Sequence, residues 1–224
     1  KQKGTPVSSK EKIIVIPIEG VITMGERGLG PGQTVDSLVQ TLHGIEDQPD
    51  VKGIVLRINS PGGSIGAVQE IYRALLKVKA KGKVIVSSFG DIAASGGYYI
   101  ACAGDSIVSN PGTLTGSIGV IMQMPNVKGL LEKVGVSFET IKSGDFKDSG
   151  SPYRKMTDEE RAYFKEVILD AYSQFYGVVK IGRKLDDNSL KNLADGRIFS
   201  GQMALKFKLV DQLGGVEEAI EEIK

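Results

Sequence analysis

The sequence predicts an α/β fold built on a largely parallel sheet. Short Val- and Ile-rich runs alternate with stretches whose apolar residues recur at helical spacing. Glycine-rich turns, Pro61-Gly62-Gly63 and Ser95-Gly96-Gly97, stand where strands hand over to helices. The 224 residues suffice for one sizeable core. Sheets of this kind place ligands at the carboxyl ends of their strands.

Taken in order, Ile13–Ile18 is a short apolar run and reads as a buried strand. Gly25–Gly32 is a Gly/Pro-rich loop. Thr34 caps a helix that sets Val35, Leu38, Val39 and Leu42 on one face. Val51–Ile58 is the next strand, Asn59–Gly63 a turn, and Ser64–Ala80 an amphipathic helix with Ser64 as its cap. Lys83–Ser88 is a third strand. A turn then leads to a helix from about Ser95. Ser106–Ser109 and Ile118–Met122 read as strands, Asn126–Val134 as helix and Val136–Lys142 as extended chain. Thr157 opens a long helix to Ile181, with Glu160 three residues on completing a capping box. Its aromatic and aliphatic stripe, from Tyr163 to Tyr176, suits a core or an interface. The polar start, Lys1–Lys12, reads as a disordered leader of the kind that joins a domain to a membrane anchor, and 13–224 as a single domain.

Composition narrows the chemistry. Lys and Arg total 28 against 27 Asp and Glu, so no basic excess points to nucleic acid. A single cysteine, Cys102, permits no internal disulfide, and its small apolar surroundings suit a buried thiol. No run approaches the roughly 20 apolar residues of a membrane span. One histidine and one cysteine cannot build an ordinary zinc site, and no phosphate-loop motif is present, so no cofactor or metal is expected.

The one histidine, His43, falls late in a helix and reads as a surface residue. Two serine motifs are decoys. Gly62-Gly63-Ser64-Ile65-Gly66 matches G-x-S-x-G, but no histidine follows Ser64 to serve it. Ser9-Lys10-Glu11-Lys12 matches S-x-x-K but lies in the leader.

A serine activated without histidine calls for a lysine base. A free lysine, with a pKa near 10.4, is a poor base at neutral pH, and burial against apolar groups lowers that value. Ser95 is the best nucleophile candidate, because it follows a strand and turn and precedes Gly96-Gly97 and an apolar helix. A plain helix cap is the competing reading. An oxyanion hole needs two backbone N–H groups aimed at one point, and Gly96 and Gly63 can supply them. Residue chemistry alone does not select a lysine.

The chain resembles the signal peptide peptidase A family. The segments that carry this are Asn59-Ser60-Pro61-Gly62-Gly63, Ala93-Ala94-Ser95-Gly96-Gly97-Tyr98-Tyr99 and Thr115-Gly116-Ser117-Ile118-Gly119-Val120, followed by Ser143-Gly144-Asp145-Phe146-Lys147-Asp148 with Ser151-Pro152. Phe199-Ser200-Gly201 and Leu209-Val210-Asp211-Gln212-Leu213-Gly214-Gly215 extend the match to the C-terminus. Each motif is weak alone; their order makes the set specific.

The resemblance implies a Clp protease/crotonase-like α/β fold with repeated ββα-type units. It implies a serine endopeptidase with Ser95 as nucleophile, Lys147 as general base and Ser117 orienting the lysine amine. It further implies a bacterial, single-pass membrane-anchored protein with an extracytoplasmic catalytic domain that digests cleaved signal peptides. The half-length form implies a homo-oligomeric ring, an octamer, whose sites draw serine and lysine from neighbouring subunits. A crotonase-type acyl-CoA enzyme would leave Ser95 and Lys147 without a role, and a non-catalytic ring scaffold would not require both glycine turns.

Overall fold

The computed structural model describes residues 11–25 and 34–224. Ser9 and Lys10 of the Ser9–Lys12 motif, most of the expected leader and most of the Gly25–Gly32 loop lie outside them. The chain divides into two compact units, Lys1–Gly119 with Phe175–Lys224, and Val120–Gln174.

The first unit follows the predicted alternation. Strand β1 (Lys12–Ile22) leads to helix α1 (Val35–Glu46), whose cap is Thr34, its side chain accepting the Ser37 N–H at 3.1 Å. Strand β2 (Val51–Gly63) leads to α2 (Ile65–Ala80), and β3 (Val84–Ala94) to α3 (Gly96–Ala101). Then come β4 (Ser106–Ser109) and β5 (Leu114–Gly116). The main sheet runs β1-β2-β3-β4 in parallel and ends on a short strand near the C-terminus, β7 (Gln212–Leu213).

Two stretches predicted as turns are strand. Asn59–Gly63 continues β2, with Val21 and Ile22 of β1 pairing with Gly62 and Gly63 after a register shift. In β3, residues 84–89 stay in the main sheet, while Ile92–Ala94 pair with Leu114–Gly116. Each long strand is thus two extended pieces joined by an irregularity and followed by a helix, which is the ββα unit. Such irregularities bend a strand and re-aim the residues beyond the bend. The predicted strand at Ile118–Met122 falls instead at Leu114–Gly116, because Ser117 takes a φ of 51° and ends the extension.

Successive residues of β2 point to opposite faces. Ile54, Leu56 and Ile58 line one face and are fully buried. Val55 lies on the other, with Val86 and Val108, under Ala219 and Ile223 of the last helix.

Helix α4 (Lys128–Lys133) belongs to the second unit. Val136–Lys142 forms no strand; no other strand lies in its unit for it to pair with. A 3-10 turn, Asp145–Asp148, precedes helix α5 (Asp158–Arg183), which runs from the second unit into the first. The Thr157/Glu160 capping box is present, with Glu160 N–H to Thr157 Oγ1 at 3.1 Å and Thr157 N–H to Glu160 Oε2 at 2.9 Å. Back in the first unit, α6 (Asp187–Lys191), β6 (Ile198–Ser200), α7 (Gly201–Lys206), strand β7 and α8 (Val216–Ile223) complete the chain. Strand β6 pairs antiparallel with β5.

Candidate active site

The bend in β3 delivers Ser95. Its backbone sits at φ 51°, ψ −119°, in a region side-chain-bearing residues seldom enter. Strain of this kind persists only where the surroundings impose it. Here the Ser95 N–H bonds to the Gly116 carbonyl at 2.9 Å, and the Ser95 carbonyl accepts the Tyr99 N–H at 2.9 Å. Ser95 occupies the N-cap position of α3, yet its side chain makes no capping bond. Capping therefore does not account for the serine, whose side chain is half-buried.

The two glycine turns pack against each other. A Cβ on Gly62 would stand 2.5 Å from the Gly96 nitrogen and 2.9 Å from the Ser95 Cβ, and Gly62 has a φ of 101°. A Cβ on Gly63 would stand 1.8 Å from the Ile22 carbonyl oxygen. No side chain fits there. A Cβ on Gly96 would stand 3.1 Å from the Gly63 nitrogen, so these two amides share one neighbourhood beside Ser95. The Gly96 N–H, at the first position of α3, has no acceptor within the helix.

Polar side chains, of which Ser60, Thr113 and Thr115 are buried, fix this arrangement. Ser60 donates to the Gly20 carbonyl at 2.5 Å and accepts the Gly62 N–H at 3.1 Å. Thr115 donates to the Ala93 carbonyl at 2.7 Å, and Thr113 to the Gly90 carbonyl at 2.6 Å. Asn59 Oδ1 accepts from the N–H groups of Asp91 and Ile92 at 3.1 and 3.2 Å. The available signal was Asn-Ser-Pro and Thr-Leu-Thr beside glycine turns, where buried backbone groups need partners. Ser117 stands one residue beyond the Gly116 that anchors Ser95; it shares a φ of 51° and donates its N–H to the Arg197 carbonyl at 2.8 Å.

Ser95, Gly96, Gly63 and Ser117 thus lie in the first unit, and Lys147 lies in the second, on the 3-10 turn. Its side chain is exposed and makes no hydrogen bond or ion pair among the described residues. Around it the charges are tightly paired. Arg154 grips Asp148 through Nε at 2.7 Å and Nη2 at 2.8 Å, and reaches Glu160 through Nη1 at 2.9 Å. Bonds from Arg154 and then Lys142 hold the Asp148 carboxyl well below the usual range. Arg154, then the Thr157 N–H, hold Glu160 down at about 2. Glu160 and Asp148 in turn push the Arg154 guanidinium higher still.

The decoys lead elsewhere. Ser64 precedes α2 but makes no side-chain cap bond, contrary to expectation; its N–H is drawn to the Ile22 carbonyl at 2.8 Å and only its own carbonyl serves the helix. His43 sits at a helix end, its Nδ1 2.5 Å from Glu46 Oε1. Cys102 is buried, and desolvation pushes its thiol up to about 12, which leaves it inert. Among the described residues no cluster of His, Cys, Asp and Glu could hold a metal, and no helix is long and apolar enough to cross a membrane.

The sequence has relatives. The sequence matches the family model described as "Peptidase family S49" over residues 77–224, which is more than half of the chain. The chain belongs to peptidase family S49. Residues 28–113 also match the "Clp protease" model, in keeping with a sheet of bent strands and ββα units. The fold is Clp protease/crotonase-like. Among curated S49 relatives, "Putative protease slr0021" of Synechocystis sp. is 44% identical over 95% of this chain and 73% of its own length. "Putative signal peptide peptidase SppA" of Enterococcus faecium is 41% identical over 97% of this chain and 64% of its own. "Serine protease SPPA, chloroplastic" of Arabidopsis thaliana is 32% identical over 94% of this chain and 32% of its own. The chain therefore spans between about a third and three quarters of these S49 relatives.

Proposed function

We propose that this chain is the catalytic domain of a serine endopeptidase in which Ser95 is the nucleophile and Lys147 the general base. The observation that carries the reading is Ser95 itself: a strained serine with an uncommitted hydroxyl, packed against two glycine turns. Ser95 Oγ attacks the scissile carbonyl carbon as its proton passes to the Lys147 amine. The Gly63 and Gly96 N–H groups receive the oxyanion. Collapse breaks the C–N bond, and the lysine gives its proton to the departing amine. A water molecule, deprotonated by Lys147, then opens the acyl-enzyme and restores the serine. Ser117 orients the amine.

A lysine base must be sheltered from water to work near neutral pH. Lys147 is exposed on the single chain, and its unit carries uncovered apolar side chains, with Ile141 96% and Ile121 81% exposed. Both features favour a homo-oligomer in which one subunit supplies Ser95 and its neighbour supplies and covers Lys147; the resemblance makes that assembly a ring, an octamer. The substrates are hydrophobic peptides, cleaved signal peptides foremost, at the extracytoplasmic face of a bacterial membrane. The small residues Ala93 and Ala94 before Ser95 suit such chains, and the names of two relatives include signal peptide peptidase or SPPA.

The test is the pH profile of hydrolysis of an apolar peptide by the native chain, Ser95→Ala and Lys147→Ala. Both variants lose activity by about a thousandfold or more, and the native rate rises along one basic limb. Retention of rate by Lys147→Ala sinks the base assignment.

A further inference from the structure

The turn that carries Lys147 is gripped by a cluster of ionic bonds, and we infer that this clamp, centred on Arg154, holds the lysine in its working position. The inference rests on Lys147 being the base. A single 3-10 turn has little stiffness of its own. The second unit offers no apolar core to stiffen it: Glu160, 3% exposed, is the one fully buried residue between 120 and 174. Apart from the Phe146 ring, which meets Tyr163 at 5.5 Å, polar bonds therefore do most of the work that packing does elsewhere.

They reach the turn on both sides of Lys147. Before it, Lys142 Nζ donates to the Asp145 carbonyl at 2.8 Å and to Asp148 Oδ1 at 2.8 Å. After it, Arg154 holds the Asp148 carboxylate with Nε and Nη2, and its Nη2 also approaches the Asp148 carbonyl at 3.3 Å. The far side of the same guanidinium binds both Glu160 oxygens. Glu160 is anchored to the start of α5 by the Thr157 N–H and accepts the Ser149 hydroxyl at 3.1 Å. A long, regular helix is thereby linked through one planar group to a four-residue turn. Only a guanidinium can meet two carboxylates edge-on in this way; an ammonium is a point charge.

The pairing has a second consequence. Asp148 is next to Lys147 in sequence, and a free carboxylate there would capture the amine in an ion pair. Lys142 and Arg154 occupy its oxygens instead, and the two cations balance the two anions. Arg154, Glu160, Asp148 and Lys142 are thus positioning residues: they act on the reaction through Lys147.

Arg154→Ala in the full chain tests this, by steady-state kinetics with and without millimolar guanidinium. A lysine released from its position costs on the order of a hundredfold in kcat, as misplacements of about 1 Å do, with KM little changed. Guanidinium, filling the vacated fork, restores a substantial part of kcat. A loss that guanidinium does not restore means a merely structural role and overturns the proposal. So does an unchanged kcat. Lys142→Gln, a gentler change at the edge of the clamp, lowers kcat by about three- to tenfold without altering the thermal midpoint, and an unchanged kcat in this variant also counts against the clamp should Arg154→Ala not fold. Lys147→Ala separates the two failures: if it keeps its rate, the base assignment has failed; if it is inactive while Arg154→Ala keeps full kcat, only the clamp has.

Discussion

The two units are built on opposite principles. In the first, Ile54, Leu56, Ile58, Phe89 and Tyr98 are fully buried, and the strained Ser95 is imposed by a packed sheet and by hydroxyls such as Thr115. In the second, apolar residues such as Ile141, Leu130 and Phe138 face outward, and the interior is a carboxylate bound to an arginine. Close packing fixes atoms to within fractions of an ångström. An ionic cluster with no apolar core around it lacks that close packing. One unit is therefore equipped to hold the proposed nucleophile and its proposed amide donors in place. The other presents its candidate base on a surface still to be covered.

The contrast is sharpest in its response to core truncation. Phe89→Ala, at a fully buried ring that meets Tyr98 edge-on, lowers stability by about 3–5 kcal/mol in denaturant unfolding. A value within about 1 kcal/mol of native would mean that the first unit is not the rigid partner. Next in size is Gly63→Ala. Its methyl group would stand 1.8 Å from the Ile22 carbonyl, so the amide must move. Loss of one oxyanion donor costs about a hundred- to a thousandfold in kcat, with little change in KM. An unaffected kcat removes Gly63 from the oxyanion hole.

The smallest effect is acid loosening confined to the second unit. Glu160 is held at about 2 against an ordinary 4.5. A carboxyl lowered on folding stabilises fully above its unfolded value, and that contribution is lost as pH falls through the folded one. Amide protection around Ser149–Glu160, measured against the intrinsic exchange rate at each pH, should therefore fall between about pH 4.5 and 2 while the strands of the first unit stay protected. Equal loosening of both units would contradict the distinction.

The sequence made the first unit more legible than the second, and packing explains why. Short continuous apolar runs located β1, β2 and β3; burial on both faces demands them in β2 and β3, whereas β1, at the sheet edge, leaves Val15 and Val21 exposed. Asn59–Gly63 and Phe89–Ala94 misled: Pro and Gly signal a turn, yet sheet pairing held both stretches extended. Ser95 could be found from its glycine neighbours, but the difference between a cap and a free hydroxyl lies in backbone angles that no residue type reveals. In the second unit, Val136–Lys142 alternates well enough to suggest a strand, and no partner strand stands by it. The Thr157/Glu160 capping box was readable from spacing alone. That the same Glu160 also receives Arg154, and through it Asp148, was not, since a loop brings those groups together and no periodicity marks a loop. Lys147 was reached by resemblance, because one exposed lysine among many carries no chemical signal of its own.

The most direct test mixes two inactive chains. Ser95→Ala still carries Lys147, and Lys147→Ala still carries Ser95. Unfolded together, refolded as mixed assemblies and assayed on an apolar peptide, they regain a measurable share of native activity if each site joins a serine from one subunit to a lysine from its neighbour. Mixed assemblies that form at native size and remain inactive would contradict that account.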